Sequence, residues 1–424
     1  MSLINKIKQK FSSKDAKVLL ENFISLSALQ VIGMALPFIT LPYVLKVFGY
    51  DKYGLIVFAN SLVVYFTSLT DYSFRITAVR EVAVSRDDKE ELDRIYSKVL
   101  IVKGLFLIIS LLILVLVILL YKPFYEELTV YLGSALMLVG YALFPEWFFQ
   151  GIEKMRYITY LNLGIKLFFT LCVFVFIREE GDYWLYPLLQ SAGFIGAGLI
   201  GQWMLMSKYK LKFKWLSIEE IKMVIVNNFP IFVNQFVPTL FNNTTVFFMG
   251  FLIPKTAIGV FDIIKKIVNI KWVLIGIVSK VFYPFLSRNK DKFNVYAKYN
   301  LLGFSAVFVG MLIIYPVFEY VFDISDGGFL IYVIMCIGLF FVGMESIYGL
   351  NYLFVHSHDK VALKITIISS LIGFALAYPL IKFYGIVGGA VNVALSQTIM
   401  GVLSYCYYLK LSKKSNYVKD VEKY

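Results

Sequence analysis

The sequence predicts an all-α integral membrane protein with twelve transmembrane helices in two six-helix lobes, 1–210 and 211–424. Three observations carry this. Apolar stretches near or above 20 residues recur along the chain, the length a helix needs to cross a bilayer; transmembrane strands are about half as long and alternate. The composition is 59% hydrophobic and only 16% charged, with mean hydropathy +0.74, which leaves little material for a soluble domain. The basic residues segregate into every second loop, as topology demands of a multi-pass protein.

In order, spans are expected at 18–47, 53–75, 98–121, 127–150, 157–177, 183–206, 223–252, 256–286, 299–321, 328–354, 361–382 and 385–409. The basic side takes Lys6–Lys17, Arg80–Lys103, Lys154 with Arg156, Lys208–Lys222, Lys280–Lys298, Lys360 with Lys364, and Lys410–Lys423. The other side takes only Lys46, Lys52, Lys122, Arg178, Lys255 and Lys382. Loops rich in Lys and Arg stay in the cytoplasm, so both termini and the longest loops, 76–97 and 207–222, are expected inside. The first span is too long for a signal-peptide core and no cleavage pattern follows it, so it reads as a retained helix. The basic, amphipathic Leu3–Phe11 before it is expected on the inner membrane surface.

The chain also reads as doubled at a spacing near 200 residues. Span 1 follows Glu21-Asn22-Phe23 and carries Pro37 and Pro42; span 7 follows Asn227-Asn228-Phe229 and carries Pro230 and Pro238. Span 2 opens on Asp51-Lys52-Tyr53-Gly54, span 8 on Lys255 through Gly259-Val260-Phe261. An even six-plus-six division gives parallel repeats about an axis along the membrane normal. The paired prolines each remove a helix hydrogen bond, which suits cavity-lining or gating helices.

Several function classes are disfavoured. The net charge of +13 is spread over every inside loop, so it argues for topology and anionic-lipid attraction, not nucleic acid. Cys172, Cys336 and Cys406 each lie within a span, and His356 and His358 share one short loop. Neither set makes a disulfide framework or a metal site, and no metal or cofactor is expected.

Charges and amides at membrane depth mark the candidate site, because lipid cannot solvate them. On span 8, Asp262, Lys266, Asn269, Gly276 and Lys280 share one helical face with Lys265 at its edge, and Asp262 can pair with Lys266 one turn on. Lys271 points to the opposite side. On span 7, Asn234, Pro238 and Asn242 line up, with Gln235 and Thr239 beside them; on span 5, Thr159, Asn162, Lys166 and Thr170 do. Amides donate and accept, which suits sugar hydroxyls, phosphate or a neighbouring helix alike. The substrate-binding candidates are therefore Lys166, Lys265, Lys266, Lys271, Asn234, Gln235, Asn242 and Asn269. The ion-coupling candidates are Asp71, Glu146, Asp262 and Glu345, acids inside the membrane boundary, where burial disfavours the charged form. Asp71 and Arg75, one turn apart on span 2, are expected to pair, and Glu146 and Glu345 have Lys154 and Lys360 as local alternatives.

Leu45-Lys46-Val47-Phe48-Gly49-Tyr50-Asp51-Lys52-Tyr53-Gly54, followed by Leu69-Thr70-Asp71-Tyr72-Ser73-Phe74 and Arg80-Glu81, resembles the span 1–2 signature of Wzx-type polysaccharide flippases of the MATE-like exporter superfamily. The run from Pro145-Glu146-Trp147-Phe148-Phe149-Gln150-Gly151 to Thr159 resembles the family's loop 4–5 motif and is the most specific match. Asn351-Tyr352-Leu353-Phe354 and Tyr384-Gly385-Ile386-Val387-Gly388-Gly389-Ala390 are similar to the span 10 end and span 12 start. The resemblance implies a V-shaped transporter whose cavity is lined mainly by spans 1, 2, 7 and 8, in the bacterial inner membrane. It implies transfer of an undecaprenyl-pyrophosphate-linked oligosaccharide, such as an O-antigen unit, from the cytoplasmic to the periplasmic leaflet. Membrane lipids, a polysaccharide polymerase and a chain-length regulator are the implied partners. Two departures stand out. Ser73 replaces the family's usual Gly, and span 1 has only Glu21 and Gln30 where proton-coupled drug exporters often carry an Asp.

A flippase that is not an enzyme is the reading these residues favour. A drug or cation antiporter of the same fold predicts an apolar, acid-rich lumen, against the excess of lysine here. A membrane polysaccharide polymerase or ligase needs a sizeable outer loop, and the expected outer loops at 48–52, 122–126, 178–182 and 322–327 are short.

Overall fold

The computed structural model describes residues 14–288, 290–324 and 327–421. Within these, the side chains of 14–31, 34, 234, 238, 240–242, 273–274, 277, 280–281, 284–285, 288 and 413–421 lie outside the described set. Among the described residues there is no strand.

Helix α1 (Lys14–Asp71) covers spans 1 and 2, and its continuity is broken at Gly49, where φ 74 and ψ 176 turn the chain. An L side chain adopts that conformation at a cost that glycine avoids. After Asp71 the helix is interrupted by Tyr72 (φ 42) and Ser73 (φ 68). This is the position at which the resemblance expects Gly, and the left-handed backbone is the physical reason. Span 2 therefore stops at Asp71 rather than at 75. The expected loop 76–97 is mostly helical: α2 (Phe74–Val84) buries Phe74, Thr77, Ala78 and Val82. Helix α3 (Lys89–Leu120) then starts well before 98, with the Asp88 carboxylate accepting from the Glu90 and Glu91 amides at 3.0 and 3.1 Å.

The expected loop 122–126 forms the short α4 (Lys122–Tyr125), and span 4 is divided into α5 (Leu128–Ala135), α6 (Met137–Leu143) and, beyond Pro145, α7 (Glu146–Gly151). Helices α8 (Met155–Phe176) and α9 (Leu185–Ser207) follow. Small residues let α9 approach closely: a Cβ on Gly198 would lie 2.8 Å from Leu143, and one on Gly201 2.5 Å from Pro145. The loop 4–5 motif is structural in the same sense. Trp147, Phe148 and Phe149 are buried in an aromatic core, and a Cβ on Gly151 would lie 2.6 Å from Val82 of α2.

The second half comprises α10 (Ile218–Leu252), α11 (Lys255–Arg288), α12 (Phe293–Phe322), α13 (Gly328–Met344) with a π-helical continuation Glu345–Phe354, and α14 (Asp359–Val421). Helix α14 is broken at Gly385 (φ 55). Among the described residues, eight segments are long and apolar enough to cross a membrane. Two of them, Ala35–Val84 and Asp359–Ser412, hold 50 and 54 residues, far more than one crossing requires, and contain the breaks at Gly49 and Gly385.

The chain divides into two compact units, Met1–Gly49 with Ala59–Thr239, and Tyr50–Phe58 with Leu240–Tyr424. In the second unit the starts of the doubled helices meet. A Cβ on Gly54 would lie 1.7 Å from the Lys255 carbonyl oxygen, and one on Gly259 2.6 Å from that of Tyr50. Gly54 and Gly259 are 205 residues apart, as are Tyr50 and Lys255. The contact is thus reciprocal in sequence position.

Candidate functional site

In the first unit, Lys166 projects from α8 onto the backbone of α1. Its Nζ lies 2.0 Å from where a Cβ on Gly33 would stand, so the amine occupies a notch that glycine leaves open. Lys166 is half-buried and has no hydrogen bond or ion pair among the described residues. Its stripe neighbours are used within their own helix: Asn162 donates to the Ile158 carbonyl at 3.0 Å and Thr159 to that of Met155 at 3.4 Å.

Asp71 does not pair with the Arg75 side chain. Its carboxylate meets Lys103 Nζ of α3 at 2.8 Å and accepts from the Arg75 backbone amide at 3.4 Å. The Arg75 guanidinium turns instead to Glu146 of α7, at 3.8 Å, which also replaces the expected Glu146–Lys154 alternative. Lys103 is the residue the sequence reading missed. Grouped with the inside-loop cations, it is a buried lysine well inside α3, only 4% exposed. Its signal is the apolar run Val99-Leu100-Ile101-Val102 before it and Gly104-Leu105-Phe106-Leu107 after it.

In the second unit, the Tyr53 hydroxyl donates to Asp262 Oδ2 at 2.5 Å, and Lys266 bonds both that carboxylate and, at 3.0 Å, the Tyr53 oxygen. The i,i+4 pair is as expected; its tyrosine partner comes from a segment 209 residues away. Lys265 is half-buried and Asn269 exposed on the same helix. Lys271 is 2% exposed, with its amine 5.3 and 5.9 Å from the rings of Phe308 and Phe340 and, among the described residues, without a hydrogen-bond partner. Gln235, in the first unit, is half-buried. Asn234 and Asn242 fall on side chains outside the described residues.

Glu345 opens the π-helix. Its Oε1 lies 3.1 Å from where a Cβ on Gly349 would stand, so the carboxylate folds over that glycine, and among the described residues it has no cationic partner. Short π segments often mark functional positions. Asn351, in the same π-helix, donates to Ser279 Oγ at 2.7 Å and the Tyr296 hydroxyl at 2.9 Å, tying the segment to α11 and α12.

These features are a helical membrane scaffold with a few cations and acids held at depth. The sequence pattern of the family described as "Polysaccharide biosynthesis protein" matches residues 19–290. The chain belongs to the polysaccharide biosynthesis protein family. A relative in Escherichia coli K12, named "Putative O-antigen transporter", is 23% identical over 389 residues, covering 89% of this chain and 94% of its own. Among solved structures, the lipid II flippase MurJ in an inward closed conformation superposes with TM-score 0.69 at 16% identity, covering 92% of this chain and 87% of its own. An inward-facing multidrug resistance MATE family transporter of the MOP superfamily gives TM-score 0.61 at 13% identity, covering 90% and 96%. The fold of this family member is therefore that of the MATE and MurJ transporters.

Proposed function

We propose that this protein is a flippase for a lipid-linked polysaccharide repeat unit. The substrate is an undecaprenyl-pyrophosphate-linked oligosaccharide of O-antigen type, moved from the cytoplasmic to the periplasmic leaflet by alternating access. Twelve crossings in two halves, with both termini in the cytoplasm of a bacterial inner-membrane protein, belong to the same reading. Family membership supports the polysaccharide class. The observation that carries the substrate chemistry is Lys166, a half-buried ammonium set in a glycine notch with no anion beside it among the described residues. A charge left unpaired at membrane depth is expensive unless a ligand supplies the counter-charge. A diphosphate does so through charge-assisted hydrogen bonds. In the same unit Gln235 would meet the sugars; in the second unit Lys265, Lys266 and Asn269 are the candidate contacts.

For coupling, three of the four candidate acids have cationic partners: Asp71 with Lys103, Glu146 with Arg75 and Asp262 with Lys266. Glu345 is the one that supports an ion-carrying role. The test is surface polysaccharide display in a strain lacking its own flippase. Lys166→Ala should impair display at native protein abundance, and Lys166→Arg should keep part of it. Normal display with Lys166→Ala would remove the diphosphate role.

A further inference from the structure

The segment joining α9 to α10 alternates lysine with apolar residues: Lys208-Tyr209-Lys210-Leu211-Lys212-Phe213-Lys214-Trp215. It is neither helix nor ladder. Beyond the end of α9, Lys210 lies in the left-handed region (φ 51), and the chain stays irregular to 217.

The strap is held firmly along α3. The Lys212 amide donates to Asp93 Oδ1 at 2.9 Å and the Lys214 amide to Ser97 Oγ at 2.8 Å; both acceptors are buried. Lys214 Nζ reaches Glu90 at 3.1 Å, and Arg94 reaches Glu220 at 2.5 Å. The Ser217 amide and hydroxyl, with Arg94, hold the Glu220 carboxyl below the usual carboxylate range, and Ser217 accepts the Glu220 amide in turn, starting α10. Tyr209 and Leu211 point into the core.

The remaining side chains have no such use. Phe213 and Trp215 stack edge-to-face at 5.0 Å, yet Trp215 is 86% exposed and Ile218 84%. Lys210 and Lys212 are exposed and form no ion pair among the described residues. Trp203 and Met206 at the end of α9, and Met223 and Val226 at the start of α10, are exposed apolar residues too.

We propose that the 209–217 strap is a binding site for anionic phospholipid, with Phe213, Trp215 and Ile218 inserted at the bilayer interface and Lys210 and Lys212 on the headgroup phosphates. Tryptophan belongs at that interface because its ring is apolar and its N–H wet. Lysine beside it is attracted to the negative leaflet. The backbone pins to Asp93 and Ser97 order the strap before lipid arrives, so little entropy is lost on binding. The assignment rests on the strap itself and holds whatever the protein transports.

The full chain, and its Trp215→Phe variant, would be placed in phosphatidylcholine nanodiscs containing acyl-brominated lipid, either phosphatidylglycerol or phosphatidylcholine at equal mole fraction. The difference in fluorescence between the two proteins isolates Trp215. The brominated phosphatidylglycerol should quench it more strongly, and Lys210→Gln/Lys212→Gln should reduce that preference by roughly fivefold per lysine. Equal quenching by the two lipids, no quenching by either, or an undiminished preference in the lysine variant would each overturn the proposal. The comparison of the two lipids needs only exposed-site chemistry at Trp215 and does not depend on folding of the lysine variant.

Discussion

Replacing Lys103 by Met should destabilise this protein far more than any change of a loop lysine. Lys103 is 4% exposed and its amine lies 2.8 Å from Asp71. At an effective dielectric near 20, that distance corresponds to an attraction of about 6 kcal/mol. Desolvation of both ions cancels much of this, so the pair as a whole contributes little over an apolar pair of the same shape. Removal of one partner is different, because the other stays at depth without its close counter-charge. After Lys103→Met, Asp71 keeps the Arg75 backbone amide, at 3.4 Å, and the more distant charge of the Arg75 guanidinium, which is shared with Glu146. The expected cost is about 3–5 kcal/mol for Lys103→Met or Asp71→Leu alone, with the double variant within ~1–2 kcal/mol of the original. Equilibrium unfolding of the full chain in mixed micelles of increasing sodium dodecyl sulfate reads all four corners of the cycle. A single-variant cost below about 1 kcal/mol, or additive costs in the double variant, would refute the idea that Lys103 and Asp71 act as a buried pair.

Ser73→Gly should raise stability by about 1 kcal/mol, because it relieves a left-handed φ of 68 and removes a buried hydroxyl that has no hydrogen-bond partner among the described residues. A loss of stability in the same unfolding experiment would show the hydroxyl to be satisfied. Gly54→Ala and Gly259→Ala should sharply reduce the yield of monodisperse protein, since each Cβ meets a backbone carbonyl, whereas Gly276→Ala on the same α11 meets open space and should be tolerated. Equal yields of the three would mean that the helix crossing yields easily. Glu345→Gln should change the dependence of transport on the ion gradient while leaving folding intact; an unchanged dependence would assign coupling elsewhere. Single-cysteine labelling should find Lys222→Cys accessible from the cytoplasm and Glu126→Cys from outside, and the reverse pattern would invert the topology.

The sequence alone determined the class of this protein: an apolar chain with Lys and Arg on alternate loops belongs in a bilayer, and its motifs indicated the family. The Asp262–Lys266 pair was legible too, because residues four apart on a helix must be neighbours. What the sequence could not show is which distant side chain completes each charge. Asp71 has Arg75 one turn away, yet its partner is Lys103 from another helix; Asp262 needed Tyr53, and Lys271 lies between two aromatic rings. The expected loop 76–97 became α2 and the start of α3 because its apolar face packs on Gly151 and the aromatic core. Local periodicity reports which face of a helix is polar. Only packing decides what stands opposite that face, and in a medium that solvates no charge, the partner opposite determines whether an ion is structural or free to act.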